Sequence, residues 1–237
     1  QKTAYEIGVR LVGSEMCIRD RCHSAVPPHE RQLPRRWRSL APSDADGMCL
    51  SGRVDASRSQ PRIRLARLGD LGDLPAVESS ADAQFRSVGM AMVADAEPPG
   101  PAVHAPAAAA GRLWVAEVTD DAGVTDDGVA EVVGFIRVEI VDGVPHVEQL
   151  SVIPRHQRHG IGSALLAAAT IWARAAGFAR MTLRTFRDVP FNGPFYARRG
   201  WRAIADADTG PEMAALRSTE ERLGLLVWPR QTMVTAV

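Results

Sequence analysis

The most chemically suggestive feature of the sequence is a strand that passes through a basic, glycine-bearing bend into a helix. It reads His146-Val147-Glu148-Gln149-Leu150-Ser151-Val152-Ile153-Pro154-Arg155-His156-Gln157-Arg158-His159-Gly160-Ile161-Gly162-Ser163. A bend of this kind aims unpaired backbone N–H groups and the positive end of a helix dipole at one point, which suits a phosphate. Gly160 and Gly162 lack side chains, so a diphosphate can approach the main chain closely. A glycine pair alone is weak evidence. A dinucleotide-binding turn asks for a third glycine at position 165, which is leucine, and a P-loop ends in Gly-Lys-Ser/Thr, whereas the only lysine is Lys2. Both common phosphate loops therefore fail. A zinc site or disulfide framework is not indicated either, because Cys17, Cys22 and Cys49 form no C-x-x-C pair.

These residues resemble the GNAT superfamily of acyl-CoA-dependent N-acyltransferases. Gln157-Arg158-His159-Gly160-Ile161-Gly162 fits that family's Q/R-x-x-G-x-G/A signature, after a strand carrying Leu150-Ser151-Val152 and Pro154. Asn192-Gly193-Pro194-Phe195-Tyr196-Ala197-Arg198-Arg199-Gly200-Trp201, starting 35 positions after Gln157, is similar to the family's N-x-x-x-Y-x-x-x-G-F segment. The resemblance covers residues 62–234. It implies an α+β fold with a mostly antiparallel mixed sheet of six to seven strands, flanked by helices and splayed at its central strands. It also implies that the backbone of Leu150, Ser151 and Val152 pairs with a pantetheine arm as though with an added strand. Gln157, Arg158, His159, Gly160, Ile161, Gly162 and Ser163 then surround the diphosphate, Asn192 meets the pantetheine, and Tyr196 lies near the sulfur. Acetyl-CoA is the implied cosubstrate, and no metal is needed. Three positions depart from the pattern: Trp201 replaces phenylalanine, Gly193 stands where alanine is common, and Arg184 stands where some relatives carry glutamate.

The residue types suit direct attack of an amine on a thioester. An alkylamine with a pKa near ~10.4 is almost wholly protonated at pH 7, so a base that accepts its proton helps. Glu148, two residues before Leu150, is the candidate base, and His146 on the same face could share its work. A salt-bridged strand residue is the plain alternative. Tyr196 is the candidate acid for the departing thiolate, against the alternative of a packed aromatic. His156 and His159 flank the bend and suit phosphate contact or simple exposure. Glu78 and Asp82, four apart on one helix face, could attract a cationic amine or could be an ordinary solvent-facing pair. Phe191, in the segment before Asn192, is expected in the acceptor pocket. A primary amine of a small molecule or peptide is the expected acceptor, and the competing reading is a regulatory module that binds acyl-CoA without turnover.

The elements around these residues read as follows. Arg62–Leu68 suggests a first strand, and a helix capped by Asp70 or Asp73 opens at Leu74 and runs to about Arg86, with a second short helix over Val88–Ala94. Residues 97–111 read as a low-complexity surface loop. Strands are expected over 113–118, 132–140 and 144–153, the last two joined by a tight Asp142-Gly143 turn. A helix follows over 160–177, then a strand over 179–186, a short helix over 192–199 and a strand over 201–205. A helix over 212–223 and a strand over 225–234 complete a mixed α+β domain at 62–237.

Composition narrows the rest. The chain of 237 residues is 46% hydrophobic and 24% charged, ordinary values for a globular protein, with 28 basic and 28 acidic residues in balance. No global field recruits nucleic acid or an anionic membrane. Residues 1–20 resemble the translated read-through of a sequencing-library adapter, and residues 21–61 read as a disordered leader rich in Arg, Ser and Pro. Eleven basic residues against seven acidic ones fall within 1–62, so a nucleic-acid-binding arm is the alternative for that stretch. The longest apolar run, Ala164–Ala176, falls short of the roughly 20 residues that cross a bilayer. A cytoplasmic protein is expected, with strand edges or the C-terminal segment available for a homodimer.

Overall fold

The computed structural model describes residues 61–119 and 130–237. Apart from Pro61, the adapter-like stretch and the leader lie outside the described residues. β1 (Arg62–Leu65) leads to α1 (Leu74–Asp82), α2 (Ala91–Ala94) and α3 (Ala105–Ala109). A meander of β2 (Leu113–Val118), β3 (Glu131–Val141) and β4 (Val144–Val152) comes next, then α4 (Ile161–Ala175) and β5 (Arg180–Phe186). α5 (Gly193–Ala197), β6 (Arg202–Ile204), α6 (Pro211–Arg222) and β7 (Arg230–Ala236) complete the order.

The strands form one seven-stranded sheet in the order β1-β2-β3-β4-β5-β7-β6. Every neighbouring pair is antiparallel except β4 and β5, which run parallel. Asp142 and Gly143, with φ of 51° and 71°, make the tight β3–β4 turn, where both central residues need the left-handed region. Register partners Trp114 and Ile136 share a face, and Trp114 meets Trp172 of α4 edge-on at 5.9 Å. Phe135 therefore faces the other way, where the buried His104 ring meets it edge-on at 5.4 Å. Helices thus cover the two faces of the central strands, and both β2 and β3 are buried nearly throughout.

The main core joins α4 to β2, β3 and β4 through Leu113, Ile136, Val138, Leu165 and Ala169. A second apolar cluster gathers Phe85, Met90 and Val93 with Phe186, Val189 and Leu225. Phe85 bridges Phe186 and Phe191, at ring distances of 5.6 and 5.1 Å. This cluster ties the stretch after α1 to the segment after β5, and so builds the far wall of the cleft described below.

Three local expectations are corrected. Residues 97–111 are not a loop throughout: Pro101–Val103 forms a 3-10 turn and α3 follows, burying His104 and Ala107. Only Ala107 of the alanine run is buried, and composition alone hides which alanine packs. The first helix stops at Asp82 and tightens into a 3-10 turn over Ala83–Val88 ended by the left-handed Gly89, so the second helix begins only at Ala91. The last strand begins at Arg230, because Leu225–Val227 forms a 3-10 turn that places Leu225 in the second cluster.

Candidate functional site

β4 and β5 pair only at His146 with Thr182 and Val147 with Leu183. Beyond that point β4 continues along β3 as far as Val152, while β5 continues along β7 as far as Phe186. The two central strands therefore part, and the β5-facing edge of β4 is left open from Glu148 onward. The register between β3 and β4 shifts here as well: Gln149 lies opposite Arg137 and Val147 opposite Val138, so Glu148 is the extra residue of a bulge. A cavity of about 270 Å³ occupies the opening, with Leu150, Val152, Phe191 and Tyr196 among its lining.

The bend after β4 forms one end of this cavity. Pro154–His156 makes a 3-10 turn, and Gln157 Nε2 donates to the Val152 carbonyl at 2.9 Å, pinning the bend to the strand. Arg158 and Gly160 both take positive φ, 62° and 84°. α4 starts immediately after. Its Ala164 N–H bonds the Gly160 carbonyl, so the amides of Ile161, Gly162 and Ser163 belong to the first turn and have no partner within the helix. No side chain caps them. A Cβ on Gly162 would already lie 3.4 Å from the Phe195 ring, so larger side chains there would fill the cavity.

The second motif forms the facing wall. Asn192 is fully buried at the start of α5, and its carbonyl accepts the Tyr196 N–H at 3.1 Å. Gly193 has a steric cause: a Cβ there would fall 2.4 Å from the Arg187 carbonyl oxygen. The departure from alanine thus reflects a close backbone approach. Tyr196 is buried between Phe195 and Trp201, edge-on to both. Tyr196 is part of the cavity lining.

The acidic candidates are distributed differently from the expectation. Glu78 and Asp82 are 1% and 3% exposed, so they are not a solvent-facing pair, yet neither lines the cavity. Their neighbours Ala81 and Gln84 do. Glu148 is buried too, with Oε1 3.7 Å from Nη2 of Arg137, whose Nη1 donates to the Val103 carbonyl at 3.2 Å. His146 Nδ1 lies 2.9 Å from Thr182 Oγ1, and full burial pushes its pKa down from 6.5 to about 4, with the Glu148 charge opposing the shift. It is a neutral imidazole at pH 7. Arg184 is occupied by a bidentate pair with Glu220, at 2.8 and 2.5 Å, and by Thr232.

The structure thus gathers Leu150, Val152, Gln157, Arg158, Gly160, Gly162, Ser163, Phe191 and Tyr196 around one cavity. Glu148, Ser151, His159, Ile161 and Asn192 are not in its lining. Ile161 points its side chain into the core, and Ser151 accepts a hydrogen bond from Gln149 at 2.7 Å. Sequence reasoning missed Arg198 and Arg199, which line the cavity beside Ser163. Their place within the second motif, two and three residues after the buried Tyr196, was the available signal. Among the described residues no cluster of three or more His, Cys, Asp or Glu could hold a metal, and no helix is long and apolar enough to cross a membrane.

This geometry agrees with comparison to known proteins. The acetyltransferase (GNAT) family model matches residues 88–201. A GNAT-family acetyltransferase from Staphylococcus aureus Mu50 superposes with a TM-score of 0.54 at 14% identity, over 75% of this chain and 99% of that one. PaiA N-acetyltransferase from Thermoplasma acidophilum, in complex with coenzyme A, gives 0.51 at 16% identity over 75% and 99%. N-acetylglutamate synthase from Neisseria gonorrhoeae, complexed with coenzyme A and N-acetyl-glutamate, gives 0.52 at 15% identity. That match covers 75% of this chain but only 35% of the synthase. At these identities the structures establish a shared fold.

Proposed function

We propose that the protein is an N-acetyltransferase that moves the acetyl group of acetyl-CoA to a primary amine of a small molecule or peptide. The observation that carries this reading is the parting of β4 and β5 after Val147, directly ahead of a bend whose first-turn amides have no helical partner. Open strand edge and amide cluster border one cavity. The main chain of Leu150 and Val152 suits a pantetheine arm, whose amides hydrogen-bond as a strand does, and the amides of Ile161, Gly162 and Ser163 suit the diphosphate. A coenzyme A fits these residues because no side chain fills the seat at Gly160 and Gly162.

In the reaction the neutral amine forms a bond to the thioester carbonyl carbon, and the carbon–sulfur bond breaks. Tyr196, at the cavity wall, gives its phenolic proton to the leaving thiolate. Glu148, at the bulge, takes the proton lost by the amine, directly or through water, while Arg137 holds its carboxylate in place. Acetyl leaves one heteroatom for the other, and two protons exchange partners. Glu78 and Asp82, buried beside the cavity wall formed by Ala81, bias that end toward a cationic acceptor, and Phe191 shapes its apolar side. Acetyl-CoA is available in the cytoplasm, which supports a cytoplasmic location for the reaction. A homodimer through an exposed strand edge, such as that of β1 where Leu65 is open to solvent, or through the C-terminal segment is checked by light scattering.

The test is thiol release from acetyl-CoA across a panel of amines, amino acids and peptides, with the full chain and with Tyr196→Phe. Turnover of at least one amine that collapses in the variant supports the enzyme. Tight acetyl-CoA binding with no turnover on any acceptor would instead identify a regulatory binder.

A further inference from the structure

A second cavity lies at the opposite end of β4, beside the β3–β4 turn, and shares no residue with the donor cavity. Its volume is about 360 Å³, and its floor is the sheet. Thr182 of β5 and Arg202 of β6 are both register partners of Val234 on β7, and Arg180 of β5 is the partner of Ala236. Register partners point to the same side of a sheet, so these five side chains share one face. Met213 of α6 and Val141 of β3 add apolar wall. The space is therefore apolar along its middle, with an arginine on either side.

The fold treats the cations near this face unequally. Arg184, two residues after Thr182 along β5, is held by Glu220, and Arg217 of α6 is held by Asp206. Arg180 and Arg202 are exposed, and among the described residues no carboxylate lies within ion-pair distance of either. Two acids, Asp142 and Asp208, also border the cavity. Both carboxylate oxygens of Asp142 accept backbone N–H groups, from Glu212 and Met213, so that acid is committed to the α6 cap. Asp208 is left as one charge against two.

We propose that this cavity binds a small organic dicarboxylate, one carboxylate to each arginine, with its carbon chain lying over Val234 and Ala236. Arg180 and Arg202 stand on the two strands that flank β7, two residues apart along it, which puts their Cα atoms roughly 12 Å apart. Guanidinium groups reaching inward from both sides leave room for a short carbon chain, and each group offers the planar fork that a carboxylate accepts. A monocarboxylate answers one arginine and leaves the other without a counter-charge. The size and the mixture of apolar wall with a few polar groups are those of a small-molecule site. Because the cavity has no residue in common with the donor site, its ligand binds alongside coenzyme A, and the proposal stands apart from the acyl-CoA reading.

Isothermal titration of the full chain with glutarate, butyrate and sulfate at low salt tests this. Glutarate is expected to bind about three- to five-fold more tightly than butyrate or sulfate, with the advantage shrinking in 0.5 M salt, as for exposed charge pairs. Arg180→Ala and Arg202→Ala each remove an exposed side chain, and each is expected to weaken glutarate about three-fold, to the level of butyrate. Asp208→Asn is expected to tighten glutarate about two-fold by removing the opposing charge. Saturating coenzyme A is expected to leave the glutarate affinity unchanged. Absence of glutarate binding, equal affinities for glutarate and butyrate, an affinity that survives both arginine substitutions, or displacement by coenzyme A overturns the inference. Failure of coenzyme A to bind would overturn the acyl-CoA reading alone.

Discussion

Asp142 and Glu212, 70 residues apart in sequence, cap each other. Asp142 Oδ1 and Oδ2 accept the Glu212 and Met213 N–H groups at 2.9 and 3.1 Å, and Glu212 Oε2 accepts the Asp142 N–H at 2.5 Å. A capping box is usually made within one segment, but here the β3–β4 turn supplies the cap to α6. The hairpin that ends in Asp142 begins the strand carrying Glu148, and α6 carries Glu220, the partner of Arg184. The reciprocal cap therefore joins the two halves of the sheet at the end where β4 and β5 still pair.

Loss of this cap is expected to destabilise the fold by about 1–2 kcal/mol, within the range for N-caps that satisfy two amides. Asp142→Ala should show it most clearly, since alanine both removes the acceptor and fits poorly at φ 51°. Gly210→Ala should produce a loss of similar size without touching the cap residue, because its Cβ would sit 2.4 Å from the Asp142 carboxyl carbon. Urea unfolding of both variants checks the pair. The idea fails if the double variant loses the sum of the two single effects, since both act through one contact.

Tyr196→Phe keeps the ring that packs on Phe195 and Trp201 and removes only the phenolic hydroxyl. The expected result is a kcat lowered by about 10²-fold, the scale of general-acid catalysis, with thermal stability close to wild type. A donor thioester with a more acidic thiol should recover much of the loss, because a better leaving group needs less protonation. Uniform loss across donors would assign Tyr196 to packing.

Much of the site was legible because the phosphate seat depends on main-chain geometry, and glycine placement records that geometry directly. The splay was legible only through resemblance. Nothing in Leu150 or Val152 as residue types says that β5 turns away after Val147, since that depends on where two distant strands stop pairing. The burial of the acidic pair on α1 was not legible for a related reason. Glu78 and Asp82 sit at helical spacing on what reads as a polar face, but α1 lies across β3 and β4 with that face turned inward. The 97–111 segment was missed because Pro and Ala signal a loop until a core with room for Ala107 is known. The placing of Arg199 was not legible, since its side chain is held by Ser163, a residue 36 positions earlier.

His146 gives the stability a specific pH dependence. Its folded pKa of about 4 lies below the ordinary 6.5, so the unfolded chain binds the proton more readily than the folded one. Stability from this group is fully present above about pH 6.5 and is lost progressively as pH falls toward 4. The loss is on the order of 3 kcal/mol at most, from a depression of this size. Urea midpoints between pH 7 and 4.5 should fall more steeply for wild type than for His146→Gln, which cannot titrate. Parallel curves would show that the imidazole is not the group responsible.

Glu148 and Arg137 offer a way to separate catalysis from structure. Both are buried on one face at 3.7 Å, and removing either leaves its partner short of a charge. Glu148→Gln and Arg137→Met are each expected to cost about 1–3 kcal/mol in stability, the scale for a disturbed charged hydrogen bond. Their kinetics should differ. If Glu148 takes the amine proton, Glu148→Gln lowers kcat about 10²-fold at pH 7 on an alkylamine acceptor, and the deficit narrows as pH rises and the amine loses its proton in solution. Arg137→Met leaves the carboxylate in the bulge, so its rate should fall far less and its pH profile should keep the wild-type shape. Equal losses with identical pH profiles would make the pair a structural bridge and assign the base to another residue.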